Sequence, residues 1–134
     1  MITYTNQINT VIDKVANILG DELSVPITFN EHSGNHSILI VPESDNIVDL
    51  MARGQLREYS ILISYELSIA TMSENIFKQV SNMAEHIKRL FAPDNNGDVD
   101  GYWFNGQIAS VVYEREDGKI RSLLNFNCNV AETS

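Results

Sequence analysis

Three stretches hold residue types that could do chemistry. Asn96, Asp98, Asp100 and Gly101 follow the opening of a calcium-binding helix–loop–helix loop, where alternate oxygen ligands and a glycine wrap one ion. The pattern then fails. Gln107 stands at the twelfth position, where a bidentate glutamate is wanted, and Asn replaces Asp at the first. The following YWFNGQIASVVYE reads as strand rather than helix, so an acidic connecting loop without calcium is expected. His32 and His36 are four residues apart with Glu31 beside them, a spacing that could chelate zinc on a helix. Gly34-Asn35 makes the segment a turn instead and no third ligand is evident, so no metal is expected. His86 falls on the polar side of its helix. Tyr102-Trp103-Phe104 could stack a base or a sugar, although aromatic residues opening a strand more often serve a core or an interface.

Nucleophilic catalysis finds no support. The chain has no Gly-x-Ser-x-Gly elbow, no Ser-x-x-Lys and no phosphate-binding glycine loop. Its acids are scattered, with no Asp/Glu pair standing out as an acid–base couple. Cys128 lies in a strand pattern among apolar neighbours of its own parity, which predicts a buried, inert thiol. As the single cysteine it rules out an intrachain disulfide. No cofactor site is read from these patterns.

At 134 residues, 43% hydrophobic and 20% charged, the chain is expected to form one domain over 1–134 with a real core. The net charge of −9, with no Lys/Arg cluster, argues against docking on phosphates. Such acidity serves solubility, or a surface past which nucleic acid slides without sticking. No stretch approaches the ~20 apolar residues of a membrane span. MITYTNQINT lacks a basic region followed by an apolar one, so no signal peptide is read. No membrane partner is expected, and a reducing cytoplasm suits the chain. The sequon Asn35-His36-Ser37 is then read as chance.

The elements that must position these residues are organised around Arg57 to Thr71. Tyr59, Ile61, Ile63, Tyr65, Leu67 and Ile69 share one parity; Glu58, Ser60, Ser64, Glu66 and Ser68 share the other. Successive side chains of a strand point to opposite faces, so this is a long central strand with one apolar face. Before it, Thr5 or Asn6 caps a helix bearing Ile8, Val11, Ile12, Val15, Ile18 and Leu19 at helical spacing, with Gly20 as the stop. VPITFN and Ser37 to Val41 are short strands flanking a turn at His32–His36, and Pro26 marks an edge. Glu43 to Leu56 reads as an irregular loop in which a short helical turn is possible. After the long strand, Thr71-Met-Ser-Glu74 fits a capping box. The helix it opens carries Ile76, Phe77, Val80, Met83, Ala84, Ile87, Leu90 and Phe91 on one stripe, with a Glu85–Arg89 pair outside and Pro93 at its end. Asp94 to Gly101 is a loop. Tyr102–Glu116 and Lys119–Val130 are strands joined by Asp117-Gly118, a strong hairpin signal. Ala131 to Ser134 reads as a disordered tail. The fold class expected is α+β: two layers, a mainly antiparallel sheet with two amphipathic helices packed on one face.

Taken together, the N-terminal helix with its strand pair ending ILIVP, the irregular loop leading into REYSILISYEL and then a helix, and the closing YWFNGQIASVVYERE and KIRSLLNFNCNV resemble the tail terminator (tail completion) proteins of long-tailed bacteriophages. The resemblance covers nearly the whole chain and is one of architecture, without a catalytic signature. It implies a homo-oligomeric ring, expected to be a hexamer, at the head-proximal end of the tail tube. There it ends tube growth and joins the tube to the head connector. It also implies a virion location in the tail or neck, assembly in the host cytoplasm, and DNA passing through without specific binding. Ile47, Val48, Asp49, Leu50, Met51 and Arg53 become the candidate subunit or tube interface. Glu43, Asp45, Asp49, Glu114, Glu116 and Asp117 become candidate channel-facing acids. The resemblance further implies that the chain is not an enzyme and carries no cofactor. Another neck or minor tail component of similar fold, or a small ligand-binding or enzymatic α+β domain, stays open.

Overall fold

The long strand and its neighbours form one sheet of five strands in a computed structural model that describes residues 6–68, 74–92, 103–116 and 118–133. The side chains of Met51, Glu74 and Thr133 lie outside that description. Helix α1 (Gln7–Glu22) begins at Asn6, whose side chain accepts the Asn9 N–H at 3.2 Å and satisfies a donor the helix leaves free. Thr5, the other candidate cap, lies outside the described residues. Gly20 is not the stop: helical bonding runs past it to Glu22 and closes at Leu23, whose N–H donates to Leu19 at 2.9 Å.

The remaining elements are β1 (Ile27–Thr28), β2 (His36–Met51), β3 (Gly54–Ser68), α2 (Glu74–Leu90), β4 (Phe104–Glu116) and β5 (Lys119–Thr133). Their order in the sheet is β1-β2-β3-β5-β4. Every pairing is antiparallel except β1–β2. VPITFN and SILIV therefore do not form a hairpin. Pro26 has no N–H to give, but its carbonyl accepts from Ile38 at 2.8 Å, and β1 is the edge strand. The Asp117-Gly118 expectation is met in part: β4 and β5 pair up to Glu116↔Lys119, with Gly118 at φ 75°, while Asp117 is outside the described residues.

Two expectations are corrected at the end of the sheet. Residues 43–56 are not a loop and hold no helical turn. β2 runs through them to Met51, Ala52-Arg53 turns the chain, and β3 starts at Gly54. The register breaks between Pro42 and Ser44 and again between Ile47 and Asp49. Each extra residue resets which side chains face which side, so the period-two pattern that betrays a strand is scrambled. Residues 131–133 are not a disordered tail; they continue β5 and pair with Leu56, Gln55 and Gly54.

The core follows the parity of β3. Tyr59, Ile61, Ile63 and Tyr65 are buried. In register beside them on β5 stand Cys128, Phe126, Leu124 and Ser122, with Ile40 and Ile38 of β2 on the other flank. Helix α1 closes this face over β2 with Val11, Val15 and Leu19, and α2 over β3 and β5 with Val80, Ala84 and Ile87. The protein is thus α+β, with the mainly antiparallel sheet and the two helices on one face. Met83 and Leu67 are partly buried against this core. Phe77 is not in it: it stands in the first turn of α2, 47% exposed, with its ring 6.0 Å from that of Tyr113 on β4. Trp103 is buried edge-on against Phe126, and Phe104 beside it is exposed. Glu85 pairs with Arg89 at 2.9 Å and with Lys88 at 3.0 Å. Ile69, the Thr71 that opens the capping box, Pro93, the acidic loop 94–101 and Tyr102 fall outside the described residues. Among the described residues no helix is long and apolar enough to cross a membrane.

Candidate functional site

The β2–β3 hairpin outruns the helix layer and forms an arm. Ile47 pairs with Arg57 and Leu50 with Gln55, which puts both on the side that the helices cover farther along the sheet. Here no described residue buries them: Leu50 is 74% exposed, and Ile47 and Val48 are about half exposed. The arm is braced. β5 pairs with β3 through Val130↔Arg57 to Thr133↔Gly54. Arg57 reaches Asp45 at 3.4 Å and Glu132 at 4.0 Å, and the Tyr59 hydroxyl donates to Glu132. Two carboxylates around one guanidinium leave this side of the arm net negative. Asp49 pairs with Leu56 on the other side, and its Oδ1 accepts the Leu50 N–H at 2.8 Å. Of the sequence-predicted interface residues, Ile47, Val48 and Leu50 form an exposed apolar patch with Asp49 and Arg53 near the turn. Met51 contributes backbone to β2, its side chain being outside the description.

The face of the sheet without helices is polar and partly roofed by residues 29–35. His32 fastens that roof, with Nδ1 2.7 Å from Ser37 Oγ and Nε2 2.9 Å from Ser64 Oγ. The Ser33 N–H also donates to Ser37 Oγ at 3.1 Å. A neutral imidazole offers one donor and one acceptor, which two hydroxyls can match. Burial holds the His32 pKa below its ordinary 6.5, against the opposing pull of Glu66. A serine nucleophile needs a path for its substrate and a group orienting its base. Ser64 is 2% exposed and the group behind the imidazole is a hydroxyl, so the trio acts as a clamp. His36 lies on the other side of the sheet, its ring edge-on to Tyr65 at 6.5 Å, so the two histidines do not converge. Among the described residues no group of three or more His, Cys, Asp or Glu is placed to hold a metal ion.

Beside the clamp, Glu66 is 5% exposed and accepts from Arg121 Nε at 2.6 Å, with Lys119 at 3.9 Å. The same guanidinium reaches Glu116 at 2.8 Å and Glu114 at 3.4 Å. Glu116 foremost, and Glu66 after it, push the Arg121 pKa up, and Arg121 in turn pulls that of Glu116 down. Between clamp and network lies an open cleft of about 510 Å³ floored by Leu39, Leu62 and Leu123.

The candidate channel acids divide by face. Glu43 accepts from Asn125 Nδ2 at 2.7 Å, and Asn125 also donates to Ser60. By register and bonding, Glu43, Asp49, Glu114 and Glu116 share the helix-free side, whereas Asp45 turns to Arg57 on the helix side. Asp117 is outside the described residues. The chain matches no protein-family model and no curated protein. Sequence reasoning missed His32, Ser37, Ser64, Glu66 and Arg121 as one constellation. The available signal was a Ser and a Glu on the polar parity of a long central strand, but their partners become neighbours only through register.

Proposed function

We propose that this chain is a structural virion protein of the tail terminator kind: a homo-oligomeric ring, expected to be a hexamer, at the head-proximal end of a phage tail tube. In this reading it stops tube growth and joins the tube to the head connector, with no catalytic step. The observation that carries it is the braced arm that holds Ile47, Val48 and Leu50 in water beyond the helix layer. A lone domain gains nothing from such a patch, whereas a repeating subunit buries it, and closed symmetry does so without open fibres. The helix-free face, with its acids and with Asn125, Asn127 and Asn129 along β5, is the side proposed to line the DNA passage. Among the described residues its most deeply set cation, Arg121, is already surrounded by Glu66, Glu114 and Glu116. The reading predicts rings of uniform size in electron micrographs of the purified chain and capped ends when it is mixed with tail tubes. Monomers throughout and bare tube ends would end it. Rings that leave tube ends bare would favour another neck or minor tail position. A small-ligand domain is the second reading, and the cleft beside Arg121 is what favours it.

A further inference from the structure

A second exposed patch lies at the far corner of the molecule. Phe77 of α2 and Tyr113 of β4 pair their rings in the open. Arg115, two residues along β4, stands on the same side, opposite Ile120 in register. The acids flanking it, Glu114 and Glu116, are drawn to the other side of the sheet by Arg121. The aromatic pair is therefore bordered by the Arg115 guanidinium, while the helix side of the arm is apolar and bordered by the surplus carboxylate of Asp45 and Glu132.

The two patches cannot meet within one molecule. In register, Tyr113 stands beside Ser122 and Tyr65, whereas Ile47 stands beside Arg57. That is ~26 Å along β3, and three strand spacings, ~14 Å, across the sheet. Each patch is bordered by charge of one sign, so a two-fold contact of either with itself would set like charges together.

We propose that the arm of one copy seats Ile47 and Leu50 on the Phe77–Tyr113 pair of the next, with the Asp45–Glu132 side of the arm against Arg115. This rests on the ring reading and names its contact. A contact between two different patches is head-to-tail, so repetition closes into a ring or runs on as a filament. Each contact is small. Closure makes the last one intramolecular and raises its effective concentration.

The test uses the full chain carrying Leu50→Cys, Tyr113→Cys or both. Cys128 does not interfere, because it is 1% exposed and burial pushes its thiol up to about 12. Under mild oxidation, the two single variants mixed should give a disulfide-linked dimer that neither gives alone. The double variant should give a ladder of covalent multimers. Arg115→Glu should weaken association roughly tenfold or more in sedimentation, since it sets like charges against each other. Rings without the mixed disulfide would overturn this contact and leave the ring reading standing. A dimer from Leu50→Cys alone would also overturn it, in favour of a two-fold contact. A chain that stays monomeric at every concentration would remove both.

Discussion

At the scale of the residue, burial decides what each side chain is worth. Ile63 is fully buried between Ile40 and Leu124, so Ile63→Ala should cost about 2–5 kcal/mol in chemical denaturation. Its neighbour Ser64 faces the other way, on the parity that reads as polar. The structure instead buries it against His32, so Ser64→Ala should cost about 1–2 kcal/mol through the lost hydrogen bond. A smaller loss at Ile63 than at Ser64 would mean that the faces are misassigned. His32 also carries a pH signature. Its folded pKa lies below the ordinary 6.5, so the unfolded chain takes up the proton first as pH falls. The contribution is therefore complete above pH 6.5 and is lost as pH drops through the folded value. The melting temperature should rise from mildly acidic to neutral pH, above the carboxylate range. His32→Gln should flatten that rise; an unchanged slope would show that His32 is not its source.

At the scale of the element, parity was readable and register was not. The long strand, both helices and the Asp-Gly hairpin announce themselves through spacing, because each depends on residues close in sequence. The arm reads as a loop in sequence because Pro42, Asp45-Asn46 and Gly54 are loop formers and two register breaks scramble the alternation between them. The Glu66–Arg121 bond and the His32–Ser64 clamp depend on which strands lie side by side, which no local pattern states. The same limit hid the turn-out of Phe77, whose spacing fits the buried stripe although the sheet ends beside it. One element-level strain is testable at the start of β4, where Asn105 takes φ 57° and Gly106 approaches Trp103. A Cβ on Gly106 would fall 2.6 Å from Trp103 Nε1, and the fully buried indole has little room to retreat. Gly106→Ala should cost about 1–3 kcal/mol and disturb the tryptophan fluorescence. In the arm, Leu50→Asp with Met51→Asp should leave the melting temperature of the monomer nearly unchanged and abolish rings and tube capping. Normal rings from that double variant would show that the arm is not the contact.

At the scale of the whole molecule, charge governs behaviour toward DNA and ions. A net charge of −9 on every copy should repel a duplex over about a Debye length, ~8 Å at physiological salt. No duplex binding is expected at that salt. Submicromolar affinity falling steeply with added salt would reveal a basic surface and end the conduit reading. Chelator and calcium at millimolar levels should leave the melting temperature where it is, since a ligand bound by the native state alone would raise it.

The central position of β3 has a consequence for how the chain acquires its shape during synthesis. One flank of β3 is β2, its hairpin neighbour, but the other is β5, whose residues lie about 50 to 80 positions later along the chain. A ribosome that has just released β3 and α2 exposes Tyr59, Ile61, Ile63 and Tyr65 on a strand with one side unpaired. Nothing made so far can close that side, and an open apolar strand edge invites pairing with a neighbouring nascent chain. The domain therefore has no stable partial product ending before β5, and chains stalled near Gly118 should be degraded by protease where released chains resist it. Folding comes late and all at once, set by the arrival of its last described strand.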